Sequence, residues 1–171
     1  MINKNKLLFI SKLAEVPPIG SVKHAPGTLA SFVALIIGYF FLTTLNIFLY
    51  LLFIFIFIII SYFLCEIHIK KYNRKDPKEI VIDEFAGQFI ALLAIIKTDN
   101  TSHLLLSLLL SFFLFRFFDI TKIGPIKKFE TLPGGIGIMA DDIVAGLCAF
   151  ITQSAILTWL NQPLLIKTLM E

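Results

Sequence analysis

Apolar and polar positions alternate along this chain in long blocks. Five apolar runs, residues 29–45, 47–65, 80–96, 104–120 and 141–160, are separated by short turns and longer loops in alternation. Within each run the apolar residues are continuous and do not alternate, so the strand period of an outer-membrane barrel is missing. A bilayer core takes about 20 apolar residues as helix, and backbone polar groups in lipid have to be satisfied within the segment. The pattern therefore predicts an all-α, polytopic membrane helix bundle of about five apolar helices, with residues 1–171 as a single membrane-embedded domain. The run at 47–65 is the clearest, being free of charge; the run at 29–45 is short, at 17 residues. Pro26-Gly27-Thr28 reads as a helix start in which Thr28 caps. Thr43 to Asn46 and Thr98 to Ser102 read as turns, and Pro77 permits a new helix to begin. Residues 121–140, with Pro125, Pro133 and four glycines, read as a loop. The tail from Asn161 is short and polar at its start. Residues 6–16 read as a short interfacial amphipathic helix or as an unstructured leader, and the apolar stretch 7–10 is too short for a signal peptide.

Composition agrees: 57% of residues are hydrophobic and 16% charged, against about 45–50% and 25% in soluble domains, and the mean hydropathy is +0.87. Cys65 and Cys148 lie in apolar runs and neither frame a disulfide scaffold nor, with the scattered His24, His68 and His103, make a zinc spacing. The 18 phenylalanines sit mostly in the apolar runs.

Charge decides the orientation. If all five runs cross, the chain start, the second loop and the fourth loop share one side. That side holds Lys4, Lys6, Lys12, Lys23, Lys70, Lys71, Arg74, Lys75, Lys78, Arg116, Lys122, Lys127 and Lys128, 13 of the 15 basic residues; Lys97 and Lys167 fall opposite. The positive-inside rule places the basic side in the cytoplasm, with Trp159 near the other interface. The same count gathers the acids of the helical runs. Asp83-Glu84 open the third run, Asp119 closes the fourth and Asp141-Asp142 open the fifth, all at one depth. A count of four spans, leaving out the third and least hydrophobic run, would loosen that grouping.

Five carboxylates at one membrane depth repel one another unless cations intervene. An all-oxygen set suits Mg²⁺, which keeps waters and binds one or two carboxylates with substrate phosphate, and disfavours zinc or copper. The plainer reading is that Asp83, Glu84, Asp141 and Asp142 are first-turn acids favoured by the helix dipole, and that Arg116 and Asp119 are an i, i+3 pair. Gly87 and Gly146, each four residues after an acid, leave room either for close helix approach or for a metal or phosphate. The glycines at 134–137 can aim backbone N–H groups at a phosphate, as nests do. Lys122, Lys127, Lys128, Lys23 and His24 suit anionic lipid headgroups.

Four blocks then carry a likeness: Pro26 to Ser31; Ile80 to Gly87; Phe115 to Ile120 with Lys122, Pro125 and Ile126; and Gly134 to Gly146. In this order they resemble the phosphatidylglycerophosphatase A family of membrane lipid phosphatases. One departure is Lys122-Ile123, where the family commonly has Lys-Pro. The resemblance implies Mg²⁺-dependent conversion of phosphatidylglycerophosphate to phosphatidylglycerol in a bacterial cytoplasmic membrane. On that reading Asp83, Glu84, Asp119, Asp141 and Asp142 hold metal, with Asp83, Asp142 and Asp119 catalytic, and Thr28, Arg116 and Lys122 touch the phosphate. Expected partners are phosphatidylglycerophosphate and anionic bilayer lipids. A transporter or channel is the other class, since intramembrane acids mark ion paths, but no acid lies deep within a run. The D-x-x-D-G-x-x-A-R array of CDP-alcohol phosphotransferases and the Ser-Gly-His of type 2 phosphatidic acid phosphatases are absent.

Overall fold

The structure is a computed structural model that describes residues 4–74, 77–97, 103–124 and 126–170. Lys75, Asp76, the turn predicted at 98–102 and Pro125 lie outside the described residues. Among the described residues every regular element is helical: α1 (Lys4–Lys12), α2 (Pro26–Thr44), α3 (Ile47–Tyr72), α4 (Ile82–Ala91), α5 (Leu104–Thr121), α6 (Ile126–Glu130) and α7 (Gly134–Met170). Short 3-10 segments lie at Leu13–Glu15, Ile19–Ser21 and Leu92–Lys97.

Among the described residues, four helices are long and apolar enough to cross a membrane: α2, α3, α5 and the Gly134–Leu160 part of α7. The third predicted run is different. It is α4 followed by the 3-10 segment Leu92–Lys97, together about 27 Å long at helical rises. Nearly all of Ile82 to Ile95 is buried. This segment is the axis of the bundle, and the four longer helices sheath it. Because α4 starts at the end of the bundle where α5 finishes, the chain between them has to traverse the interior. Protein surrounds it there in place of lipid, so it needs less hydrophobicity than its neighbours.

Small residues let the sheath close. The buried face of α2 is Gly27, Ala30, Ser31, Ala34 and Gly38, a stripe that admits α4 at short range. Gly38 meets Leu92 and Phe89 where a Cβ would stand only 2.5 and 2.6 Å away. Gly87 of α4 lies against α7, and a Cβ there would be 2.7 Å from the Asp142 carbonyl oxygen; one on Gly146 would overlap the Gly87 carbonyl. Of the two readings of these glycines, the helix crossing is the one the structure realises. The outward faces carry the large apolar side chains, among them Phe40, Phe48, Phe55, Phe63 and Phe113. Trp159, 69% exposed, stands near the far end of the α7 span.

Several predicted boundaries move. Helix α2 starts at Pro26, with Ala25 as its cap residue, so Thr28 is inside the first turn and caps nothing. Asn46 caps α3, accepting from the Leu49 N–H at 2.9 Å, and α3 runs on through the stretch 66–72 because it packs against α1 there. The buried His68 lies 2.9 Å from the Ser11 carbonyl and Lys71 donates to Ser11 Oγ at 3.0 Å. After Pro77 comes a turn, and α4 begins only at Ile82. The predicted loop 121–140 contains α6, and the glycines at 134–137 are not an open nest but the first turn of α7. Gly135 donates its N–H to Glu66 at 2.9 Å, and a Cβ there would be 3.1 Å from the α3 backbone. These glycines seat α7 against α3. At its other end α7 continues to Met170, through the predicted tail.

Candidate active site

One end of the bundle collects the N-termini of α2, α4 and α7, the C-terminus of α5, and the segment around α6. Between them lies a cavity of about 790 Å³. Thr28, Asp83, Glu84, Arg116, Asp119, Lys122, Asp141 and Asp142, read from the sequence as candidates, all line it. The grouping follows from helix parity: α2, α4 and α7 start at this end, and α3 and α5 finish there.

At the floor, Asp83, Glu84 and Asp142 present oxygens that all lie within 4.8 Å of one another. Asp142 is 4% exposed and Asp83 9%. Asp83 Oδ1 and Glu84 Oε2 are buried without a hydrogen-bond partner. Carboxylates buried this close, with oxygens left bare, are costly unless a cation meets them. The donors are hard oxygens only, so the residues present fit a Mg²⁺-like ion.

Two explanations given for the acids at the sequence level now separate. Asp83 and Glu84 do stand in the first turn of α4, where the dipole favours them. Asp141 and Asp142 do not, because α7 starts seven residues earlier, about two turns away. Their burial is set by the Gly87–Gly146 crossing, which presses the Asp142 backbone onto α4 and so brings Asp142 to Asp83.

Asp119 and Asp141 line the same cavity but hold basic partners. Arg116 Nη1 donates to Asp119 and, at 3.3 Å, to Ser31 Oγ. Lys122 donates to Asp141, whose other oxygen accepts the Asp142 N–H at 3.1 Å. Lys122 lies 3.5 Å from Glu130 as well. Burial pulls the Lys122 ammonium down, but the hydrogen bond and charge of Asp141 outweigh it and hold the group above its ordinary value. Lys122 reaches back to α7 because it ends α5 in the left-handed conformation, at φ +47°, its N–H donating to the Phe118 carbonyl.

Three contributors carried no assigned role in the sequence reading. Gly27 cradles Glu84: a Cβ there would overlap Glu84 Oε1 and stand 3.4 Å from Arg116 Nη1. Ser31, one turn on, donates to the Gly27 carbonyl at 2.8 Å and accepts from Arg116. Both lie in the Pro26–Ser31 block, where their spacing of four was the available signal. Glu130 sits in a polar stretch that gave none.

A family model described as Phosphatidylglycerophosphatase A matches residues 12–157. The Phosphatidylglycerophosphatase A of Haemophilus influenzae is 38% identical over 142 residues, 82% of this chain and 84% of its own. That of Escherichia coli is 37% identical over 123 residues, 71% of this chain and 68% of its own. A Bacteroides thetaiotaomicron protein provisionally named a phosphatidylinositol-3-phosphatase is 40% identical over 77 residues, 45% of this chain and 46% of its own. No solved structure matches.

Proposed function

The chain belongs to the phosphatidylglycerophosphatase A family, a family of phosphatases, and from that premise we propose that it hydrolyses the terminal phosphate monoester of phosphatidylglycerophosphate with Mg²⁺, giving phosphatidylglycerol and phosphate. One observation carries the chemistry: three buried carboxylates within 4.8 Å at the floor of a cavity whose walls also bear Arg116 and Lys122.

Asp83, Glu84 and Asp142 would hold the ion through oxygen. When bound, Mg²⁺ neutralises phosphate charge and lowers the pKa of a coordinated water. Arg116 offers a fork of N–H donors that meets a phosphate bidentately, and Lys122 adds a point charge. Both are held ready by acids: an incoming phosphate displaces Asp119 from Arg116 and Asp141 from Lys122. Asp119 and Asp141, relieved of their cations, extend the oxygen set. Thr28, half-buried on the wall with no hydrogen bond from its hydroxyl to a described residue, donates to a phosphate oxygen. Asp83, Asp142 and Asp119 would supply the acceptor for the proton of the attacking water, and that proton passes to the glycerol oxygen as its bond to phosphorus breaks. The charge count of the sequence, with 13 of the 15 basic residues on one side, supports a cytoplasmic setting for this face in a bacterial inner membrane, among anionic lipids.

The test is phosphate release in neutral detergent, with Mg²⁺ or with a chelator, from phosphatidylglycerophosphate, phosphatidic acid and a phosphatidylinositol phosphate. Release from the first, abolished by chelation, is the expected result. Asp142→Asn should release no phosphate while keeping its helical circular dichroism, and Mg²⁺ should raise the Tm of the natural protein but not of the variant. Full activity in Asp142→Asn would sink the assignment. Preference for the inositol lipid would redirect it to the chemistry named for the Bacteroides relative.

A further inference from the structure

The cavity has a charged zone that the hydrolysis leaves unused. Arg116 and Lys122 are matched by Asp119, Asp141 and Glu130. Two more lysines line the cavity: Lys78, from the turn before α4, and Lys127, from α6. Both are exposed. Among the described residues, neither has an acidic partner, although Lys70, Arg74, Arg116 and Lys122 all do. Lys128 is the neighbour of Lys127 and equally exposed, but it does not line the cavity. At about 790 Å³ the space lies in the range that accommodates a whole small-molecule ligand, roughly 300–1,000 Å³, more than one phosphate group fills.

We propose that Lys78 and Lys127 form a second anion subsite that takes the phosphodiester of a two-phosphate lipid headgroup while the terminal monoester lies at the carboxylate floor. This rests on the reaction proposed above. In phosphatidylglycerophosphate one glycerol separates the monoester from the diester, so a headgroup with its end on the floor carries its second phosphate toward the mouth. There it meets two ammonium groups not neutralised by acids. A lysine acts as a compact charge with rotatable donors, which suits a singly charged diester. Phosphatidic acid joins its only phosphate directly to diacylglycerol and has nothing to place in this subsite. The two lysines therefore set selectivity between lipid monoesters.

The experiment compares the natural protein with Lys78→Gln/Lys127→Gln and with Lys128→Gln in neutral detergent free of anionic lipid. Losing charge-assisted bonds to the diester should raise KM for phosphatidylglycerophosphate about tenfold or more, leave kcat and the phosphatidic acid KM within about twofold, and spare Lys128→Gln. Binding of phosphatidylglycerol, which keeps the diester but has no monoester, is measured separately by competition and should weaken by a similar factor in the double variant alone. That arm needs no turnover: if the natural protein hydrolyses neither lipid, the reaction assignment fails, and the binding result still decides the subsite. Equal losses on both substrates, or no loss on either, overturn the proposal. So does a loss that arises only when an anionic diester lipid is mixed into the micelles and then affects both substrates, because the lysines would then hold a neighbouring lipid.

Discussion

Gly27 has no functional group, yet the site depends on its emptiness. Any Cβ there would overlap Glu84 Oε1, and the helical backbone of α2 cannot yield without moving Arg116's partner Ser31. Gly27→Ala should therefore keep its fold and lose about a hundredfold in kcat, the scale of an ångström's misplacement at a reacting centre; phosphate release beside circular dichroism reads this. Ser31→Ala removes only the weaker of two contacts on Arg116 and should cost less than Gly27→Ala in the same assay. Lys122, held above its ordinary value, gives stabilisation that is whole below the usual lysine range and is lost only as pH rises past the raised value. No alkaline loss of activity below about pH 10 should come from it, and a pH profile of Lys122→Arg overlying the natural one checks this. At this scale Arg116 and the five acids of the apolar runs were legible in the sequence because charge inside an apolar run is conspicuous. Gly27 and Ser31 were not: Gly27 acts through the space it leaves to Glu84, and Ser31 through a hydroxyl that meets Arg116 only in the folded bundle.

The helix crossing of α4 and α7 is the element that makes the carboxylate floor. Gly87 and Gly146 meet backbone to backbone there, and side-chain rearrangement cannot relieve an added methyl. Gly146→Ala should destabilise by about 1–3 kcal/mol, lowering the Tm in detergent, and should part Asp142 from Asp83, lowering activity with it. The polar contacts deeper in the bundle matter less. Gln153 donates to the Ser107 carbonyl at 2.8 Å, while its own oxygen is buried without a partner. Gln153→Leu removes the bond and the bare acceptor together, so its cost should stay near the 0.6 kcal/mol average for such bonds in membranes, as an unfolding titration would read. The long apolar helices were legible because lipid demands continuous hydrophobicity. The start of α7 was not: three glycines within four residues signal a loop in isolation, and only α3, with Glu66 receiving the Gly135 N–H, makes them a helix.

Across the whole molecule, the sidedness of charge and the convergence of helix ends go together, since most of the described basic residues share the cavity's end of the bundle. A cysteine replacing Lys128, exposed on α6, should react with a membrane-impermeant maleimide only after the cells are permeabilised; labelling of intact cells would reverse the orientation. The sheathed axis also bears on how the chain is made. Residues 82–97 carry two acids and are shorter than the helices around them, so they gain little from lipid alone as they leave the ribosome. Their binding surfaces on α5 and α7 are synthesised later. The axial segment thus has to wait, at the membrane surface or in the insertion machinery, until its wrapping arrives. A chain truncated before α5 should leave this segment accessible to glycosylation or protease tags from the side on which it was made. The most buried helix should then be the last to be wrapped, although it belongs to the third apolar run of the chain.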